Sequence, residues 1–376
     1  MINWPLAVDT WNAAERTAMH RIIDSGMFTM GNNVEEFQAR FCEIFGVKYA
    51  VMVNSGSSAN LLMAAACLEL NYFKEGSEII VPAVGWSTSY FPFHQAGLEV
   101  VFVDVDDTWN IDVNRVEAAI TSKTRAVLGI NLLGNPCTFD QLIDVCNKHD
   151  LTLLEDNCES LGSGYDNKFT GSFGTMGTYS TFFSHHIQTM EGGLIACNDS
   201  KTFNTLKSLR SHGWTRNTIW ESDNPFTFKT IGYNVRPGEL HAAVGLAQLD
   251  KWDGMDETRS RNAYEFIANF EDKSWCTIQR VSNLASPSWF GFGLVFSEPG
   301  MKERAQELLT ANNVEHRPIV CGNFVNQPVF KKMRARVHGD TPVADKIDSD
   351  GIFLGNNPID LVPQIRLTAQ LLEKHL

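Results

Sequence analysis

Residues 49–70 read YAVMVNSGSSANLLMAAACLEL. A β-branched and apolar run at 49–54 passes through small residues into an apolar helical pattern over 58–70. Strand, tight turn and helix in immediate succession form the unit of a parallel sheet, because a helix must carry the chain back across the sheet face. The same alternation continues outward. Strand-like runs lie at 78–84, 99–105, 125–132 and 151–155, with a helical pattern at 138–149. These runs are nearly all apolar rather than alternating, which marks strands buried on both faces. Runs at 176–183 and 192–198 extend the sheet, and the second is preceded by a Gly-Gly turn.

Beyond Pro237 the pattern changes to one long helical segment reaching about residue 271, with few breakers. The remainder reads as α+β, with a strand at 288–297, a helix at 301–313 and a C-terminal helix. The sequence therefore predicts an α/β chain with a mixed, mostly parallel sheet. A large domain is expected over 1–250 and a smaller C-terminal α+β domain over 251–376.

Composition excludes several classes of function. The 376 residues are 43% apolar and 20% charged, as in an ordinary globular protein. No uncharged apolar stretch reaches the roughly 18 residues of a membrane span. The start, MINWPL, has neither the basic region nor the apolar core of a signal peptide, so the reading is cytoplasmic. A net charge of −13 argues against nucleic-acid binding, which needs a basic surface. The eight cysteines include no C-x-x-C pair, so free thiols are expected, with no metal site and no iron–sulfur cluster.

Five segments could carry chemistry. Asn54-Ser55-Gly56-Ser57-Ser58-Ala59-Asn60 joins a strand to a helix; its small residues and helix N-terminus suit an anion, or simply cap the helix. Glu155-Asp156-Asn157-Cys158-Glu159 ends a buried strand, where ligands of open α/β sheets bind. An acid there either pairs with a protonated ring nitrogen or is merely solvated. Ser180 to Ile187 places His185 and His186 after a strand, followed by Glu191-Gly192-Gly193. Histidine suits proton transfer near neutrality, and a structural histidine is the alternative. If the strand continued, the two rings would point to opposite faces. Finally, His212-Gly213-Trp214-Thr215-Arg216-Asn217 and Gly232-Tyr233-Asn234-Val235-Arg236-Pro237 set arginines in loops. Such arginines bind phosphate or carboxylate, or form surface ion pairs.

Taken in order, SGSSAN, VPAVGWSTS, LLEDNCES, EGG and GYNVRP resemble the DegT/DnrJ/EryC1/StrS family of pyridoxal-phosphate enzymes acting on nucleotide-linked keto sugars. The resemblance spans essentially the whole chain. It implies the aspartate-aminotransferase fold (PLP fold type I) and a homodimer with shared active sites. In that family the lysine that binds the cofactor covalently lies six residues before the Glu of EGG; here that position is His185. The S-H-H-I-x-T-M-E-G-G context, with MINWPL, GMFTMG, NLLGNP, HGWTRN, SWFGF and RPIV-x-GN, resembles the branch that removes the C3 hydroxyl of GDP-4-keto-6-deoxy-D-mannose on the way to colitose. L-Glutamate is the implied amino donor, and the cofactor cycles between pyridoxal and pyridoxamine 5′-phosphate. Another histidine-bearing branch uses an iron–sulfur cluster, for which the scattered cysteines offer no ligand set.

Carried over by position, the resemblance implies His185 as the catalytic acid/base. It implies Asp156 at the pyridine nitrogen, Trp86 on the ring face and Glu159 near the ring hydroxyl. Gly56, Ser57 and Ser180 are implied at the phosphate, joined by Asn234 from the partner subunit. His212 is implied near glutamate, and Gly26, Met27, Phe28, Thr29, Arg216, Arg236 and Glu315 near the nucleotide sugar. A sugar aminotransferase using another base, or a catalytically silent binding protein, are the alternatives.

Overall fold

Each apolar run becomes a strand because its side chains are swallowed on both sides. The computed structural model describes all 376 residues. It contains β1 (Tyr49–Val53), β2 (Glu78–Pro82), β3 (Glu99–Val103), β4 (Thr124–Ile130) and β5 (Thr152–Asp156). Every residue of β2 is buried, and in β1, β3 and β5 only the first residue escapes full burial. Further strands are β6 (Met176–Ser180), β7 (Gly193–Cys197), β8 (Cys276–Thr277), β9 (Gly291–Phe296), β10 (Ala335–Val337) and β11 (Gly351–Gly355).

Eight of these form one sheet in the order β1-β7-β6-β5-β4-β2-β3-β10. Strand β7 is antiparallel to β1 and β6. All other neighbours in this sheet are parallel. The expected mixed, mostly parallel sheet is therefore present. The remaining β8, β9 and β11 make a separate antiparallel sheet.

Helices cover both faces. They are α1 (Ala13–Ser25), α2 (Asn32–Phe45), α3 (Gly56–Glu69), α4 (Ser87–Gln95), α5 (Val113–Ala119), α6 (Phe139–Lys148), α7 (Ser200–Arg210), α8 (Glu239–Leu249) and α9 (Trp252–Phe270). The period of two is visible in the clusters. Ile79 and Val81 join the apolar mass under α3 and α4, whereas Ile80 joins the one under α5 and α6.

Two expectations need correction. The helical segment over 237–271 is not one helix: α8 ends at Leu249 and α9 begins at Trp252. The break lets Lys251 pair with the buried Glu15 and donate to Thr10 O at 2.7 Å. It also brings the Trp252 ring against Gly162, which has no side chain to obstruct it. Likewise the strand expected over 176–183 stops at Ser180, so His185 and His186 lie in a loop and the opposite-face argument does not apply. Thr181 N donates to Gly192 O at 3.0 Å and Thr189 N to Thr181 O at 2.8 Å, closing the loop at its neck.

Two segments cross the division expected near residue 250. Strand β10 pairs with β3 at the edge of the large sheet. Trp4 is buried in the C-terminal cluster with Phe266, Phe292 and Leu354, and its Nε1 donates to Gly355 O at 2.7 Å.

Helix α2 has no cap of its own, since Gly31 occupies that position. The carboxylate of Glu239, at the start of α8, serves instead. It accepts from the backbone N–H groups of Gly31 (2.8 Å), Asn33 (2.9 Å) and Val34 (3.0 Å). Burial raises the Glu239 pKa, but these donors and the Asn33 amide outweigh it and hold it below the ordinary value. Because the folded pKa is depressed, the stabilisation is present above an unfolded pKa of about 4.3 and is lost as pH falls through the folded value. We expect Glu239→Ala to lower unfolding free energy at pH 7 by about 1.5–3 kcal/mol, the range for hydrogen bonds to a charged group. Denaturant titrations of both proteins should show the gap closing below pH 4.3 or so.

Candidate active site

The carboxyl ends of the parallel strands and the start of α3 enclose a cavity of about 370 Å³. Gly56, Ser57, Trp86, Asp156, Glu159, Ser180 and His185 all line it, so the sequence motifs separated by as many as 129 positions meet here. Ser55 caps α3 by accepting from Ser58 N at 3.0 Å. Gly56 follows where no larger residue fits: a Cβ there would lie 2.8 Å from Ser180 Cβ and 3.0 Å from Cys158 Sγ. The bare first turn of α3 thus offers amide N–H groups and a favourable dipole to an anion.

Adjacent acids at the end of β5 take opposite sides of the sheet. Glu155 turns away from the cavity and accepts from Phe173 N at 2.7 Å and Gly174 N at 2.6 Å. Asp156 turns into it. Its Oδ2 accepts from Asn60 Nδ2 at 2.8 Å and Ser89 Oγ at 2.6 Å, and its Oδ1 from Cys158 N at 3.1 Å. All these partners are neutral donors, so the carboxylate is fixed in place with no cation of the chain paired to it.

His185 sits in the loop with its ring centroid 5.0 Å from that of Phe290 and 6.0 Å from Phe182. Its Nδ1 is buried and has no hydrogen-bond partner. Burial, with the charges of Arg317 and Arg259, pushes its pKa down to about 3. The imidazole is consequently neutral near pH 7, with a lone pair free to take a proton. His186 lies outside the cavity lining. Its Nε2 is 3.3 Å from Ser288 O, which can only accept, so that nitrogen carries the hydrogen. Burial and Arg259 also hold His186 well below its ordinary pKa.

Glu159 accepts from Leu133 N at 3.0 Å. Burial raises its pKa, partly opposed by the Leu133 N–H and Arg317. Trp86 precedes α4, lines the cavity and has 56% of its surface exposed.

A second concavity, of about 790 Å³, collects Phe28, Thr29, Arg216, Asn234 and Arg236 between the start of α2 and the end of α7. Lys207 and Arg210 also line it, against a single acid, Glu35. Asn234 Oδ1 accepts from Arg236 Nε at 3.0 Å. Asn234 therefore lies apart from the cavity lining of its own chain. Gly26, Met27, His212 and Glu315 line neither concavity. Gly26 ends α1 with φ 68°, and Met27 is largely exposed. His212 donates its backbone N–H to Tyr233 O at 2.6 Å, and Glu315 Oε2 accepts from Leu6 N at 2.8 Å.

Sequence reasoning missed the residues that orient others. Asn60 and Ser89 hold Asp156, yet each looks like an ordinary helix residue within SGSSAN and VGWSTS. Phe290 and Arg317 flank His185 from the C-terminal region, at a separation no local pattern reveals.

Residues 10–359 match the profile of the DegT/DnrJ/EryC1/StrS aminotransferase family. The chain belongs to this family. It is 46% identical, over all of its own length and 99% of the relative's, to GDP-4-keto-6-deoxy-D-mannose 3-dehydratase of Yersinia pseudotuberculosis. The crystal structure of the E. coli GDP-4-keto-6-deoxy-D-mannose-3-dehydratase with bound hydrated PLP matches at a TM-score of 0.95 and 43% identity, covering 99% of this chain and 100% of that one. A histidine-to-asparagine mutant of GDP-4-keto-6-deoxymannose-3-dehydratase with bound GDP-perosamine matches at 0.94 and 42%, covering 98% and 100%. The fold is that of the family, PLP fold type I, as expected.

The cavity suits pyridoxal phosphate on its own chemistry. It pairs an anion cradle at α3 with an acid that no cation of the chain pairs, the exposed indole of Trp86 and the unpartnered Nδ1 of His185. Its volume falls within the roughly 300–1,000 Å³ usual for small-molecule sites. Filling the cradle should expel the phosphate. We expect Gly56→Ala to weaken pyridoxal-phosphate binding by at least about tenfold, a loss of about 1.4 kcal/mol, as read by equilibrium dialysis with the fold intact by circular dichroism.

Proposed function

We propose that this chain removes the C3 hydroxyl of GDP-4-keto-6-deoxy-D-mannose, with glutamate as amino donor, giving GDP-4-keto-3,6-dideoxy-D-mannose. One observation carries the reading: a neutral histidine, His185, lies in the cavity and no lysine lines it. The balance closes without an external reductant. The sugar is reduced at C3, glutamate is oxidised to 2-oxoglutarate, and its nitrogen leaves as ammonia.

Bound pyridoxal phosphate, and the pyridoxamine form it becomes, supplies an electron sink for the carbon under reaction. Asp156 keeps a proton on the ring nitrogen, and Trp86 covers the ring. The N–H groups of Gly56 and Ser57 and the hydroxyl of Ser180 take the phosphate, and Glu159 faces the ring hydroxyl. A lysine both binds this cofactor covalently and moves protons, whereas imidazole does only the second. His185, as neutral base, takes a proton from carbon and, as the resulting acid, gives it to the departing C3 hydroxyl. With no amine to recapture the cofactor, loss of the hydroxyl is favoured over amination.

The second concavity, with Phe28, Thr29, Arg216 and Arg236, suits the diphosphate of the nucleotide, because guanidinium groups bind phosphate bidentately. Gly26 and Met27 adjoin it in sequence, and the reading assigns Glu315 to the same ligand and His212 to glutamate. Exposed Ile231 (93%) and Phe226 (69%) support a homodimer in which Asn234 reaches the partner's cavity. The reading places the enzyme in the cytoplasm, in the synthesis of 3,6-dideoxy sugars such as the colitose of lipopolysaccharide O-antigens.

Incubation with the 4-keto sugar nucleotide and glutamate should release ammonia and the 3-deoxy product. A stable amino sugar without ammonia overturns the reading. His185→Asn should abolish glutamate-driven conversion of the cofactor. His185→Lys should create a covalent link to the cofactor, trappable by borohydride, and lower the dehydration rate by at least about 100-fold, the usual contribution of a positioned acid/base. In the native enzyme the acid limb of the glutamate half-reaction should lie below pH 6.5, because the pKa of His185 is lowered from that value.

A further inference from the structure

His186 is a buried titratable group with no part in the proposed cycle, next to the base but outside the cavity lining. Burying a ring with two nitrogens is costly unless they are used. Only one is: Nε2 donates to Ser288 O at 3.3 Å, whereas Nδ1 has no partner. An apolar side chain would fill the space without leaving a nitrogen orphaned, so what histidine adds here is that N–H. Ser288 O accepts no other hydrogen bond.

The chain beyond Ser288 gives this contact its use. Trp289 holds φ at 48°, a left-handed conformation that a bulky residue keeps only where its surroundings impose it. The bend delivers Phe290 to the cavity, where its ring lies 5.0 Å from that of His185. Other parts of the chain grip the same bend. Ser288 N donates to Gly134 O and to Ser163 Oγ, both at 3.1 Å. Trp289 O accepts from Asn356 Nδ2 at 2.9 Å, and Phe290 N donates to Leu133 O at 2.9 Å. Among these grips, only that of His186 comes from the loop between β6 and β7, which carries the base. Its ring also packs near Phe290 and Trp252, at centroid distances of 5.9 and 6.2 Å. Phe290 therefore lies against both histidines.

We propose that His186 is a positioning residue for the base: by fixing the Ser288–Phe290 bend from within the loop, it sets the place of Phe290 and, through it, of the His185 ring. This assignment rests on the proposed function for the role of His185 in moving the proton. Neutrality suits the task. Burial, with Arg259 and the neighbouring His185, holds His186 well below its ordinary pKa, so no further cation forms beside the base. The junction serves the other side of the cavity as well. Leu133, which accepts from Phe290 N, gives its own N–H to Glu159 at 3.0 Å.

The test follows cofactor absorbance as holoenzyme variants react with glutamate, ordinary or deuterated at Cα. His186→Leu removes the donor and the ring, His186→Gln keeps an N–H that can reach Ser288 O, and Phe290→Leu removes the intermediary. His186→Leu should lower the saturated rate by roughly 10- to 100-fold, the scale on which misplacing a group costs rate. Glutamate half-saturation, and the pyridoxal-phosphate Kd by equilibrium dialysis, should change far less. The deuterium isotope effect should be at least as large as in the native enzyme, because the proton transfer is the step impaired. His186→Gln should recover most of the rate. Adding His186→Leu to Phe290→Leu should cost little beyond Phe290→Leu alone, since both cut one path. If the leucine variant does not fold, His186→Asn, whose amide is too short to reach Ser288 O, replaces it with the same expectations. An unchanged rate, a loss carried by half-saturation or cofactor Kd, a smaller isotope effect, no recovery by glutamine, or additive losses would each overturn the assignment. If His185→Asn converts the cofactor at the native rate, the base itself is misassigned. If the native enzyme converts glutamate but not the sugar, the proposed function fails while these readouts still judge His186.

Discussion

The anchoring of Asp156 is the interaction on which the site depends. A carboxylate at the end of a buried central strand is costly to desolvate, and it survives only because Asn60, Ser89 and Cys158 N donate to it. Those donors come from α3, α4 and the turn after β5. The three elements cannot shift independently without stranding a buried charge. Since the same α3 starts with the bare turn at Gly56 and the residue preceding α4 is Trp86, fixing one acid fixes both of these parts of the cavity as well. The neighbouring Glu155 shows the other solution to the same difficulty, with a loop wrapped around it from the opposite face.

The presence of a histidine rather than a lysine at position 185 is also an electrostatic matter. An amine of ordinary basicity would be protonated in this cavity and would add a cation beside Arg317. His185 adds none, because burial and two nearby guanidinium groups oppose its protonation. The neutral ring keeps a free lone pair, and its aromatic neighbours Phe182 and Phe290 hold it without using its nitrogens.

Much of this arrangement was legible in the chain. Buried parallel strands announce themselves as unbroken apolar runs, and the small residues at 55–57 could hardly serve any element but a turn against a helix. His185 stood out only through the family resemblance, which marks the position six residues before Glu191. What escaped was set by tertiary contact. The break between α8 and α9 has no glycine or proline to mark it; it follows from Lys251 reaching Glu15 and Trp252 reaching Gly162. The end of β6 at Ser180 depends on where β7 begins, not on the β-branched and aromatic residues that follow. Arg317 owes its place to pairing with Phe353, which lies 36 positions away on another strand. Such positions carry no periodic signal.

The docking of Trp4 and the pairing of β10 with β3 have a consequence for how the chain acquires its structure. The C-terminal cluster takes in Trp4, and the large sheet takes its edge strand from residues 335–337. Neither unit can be finished from its own stretch of sequence alone. Contacts spanning more than 300 residues, such as Trp4 to Gly355, come late because the entropy of closing so long a loop must be met first. The last steps of folding therefore stitch the two ends of the chain into each other's territory.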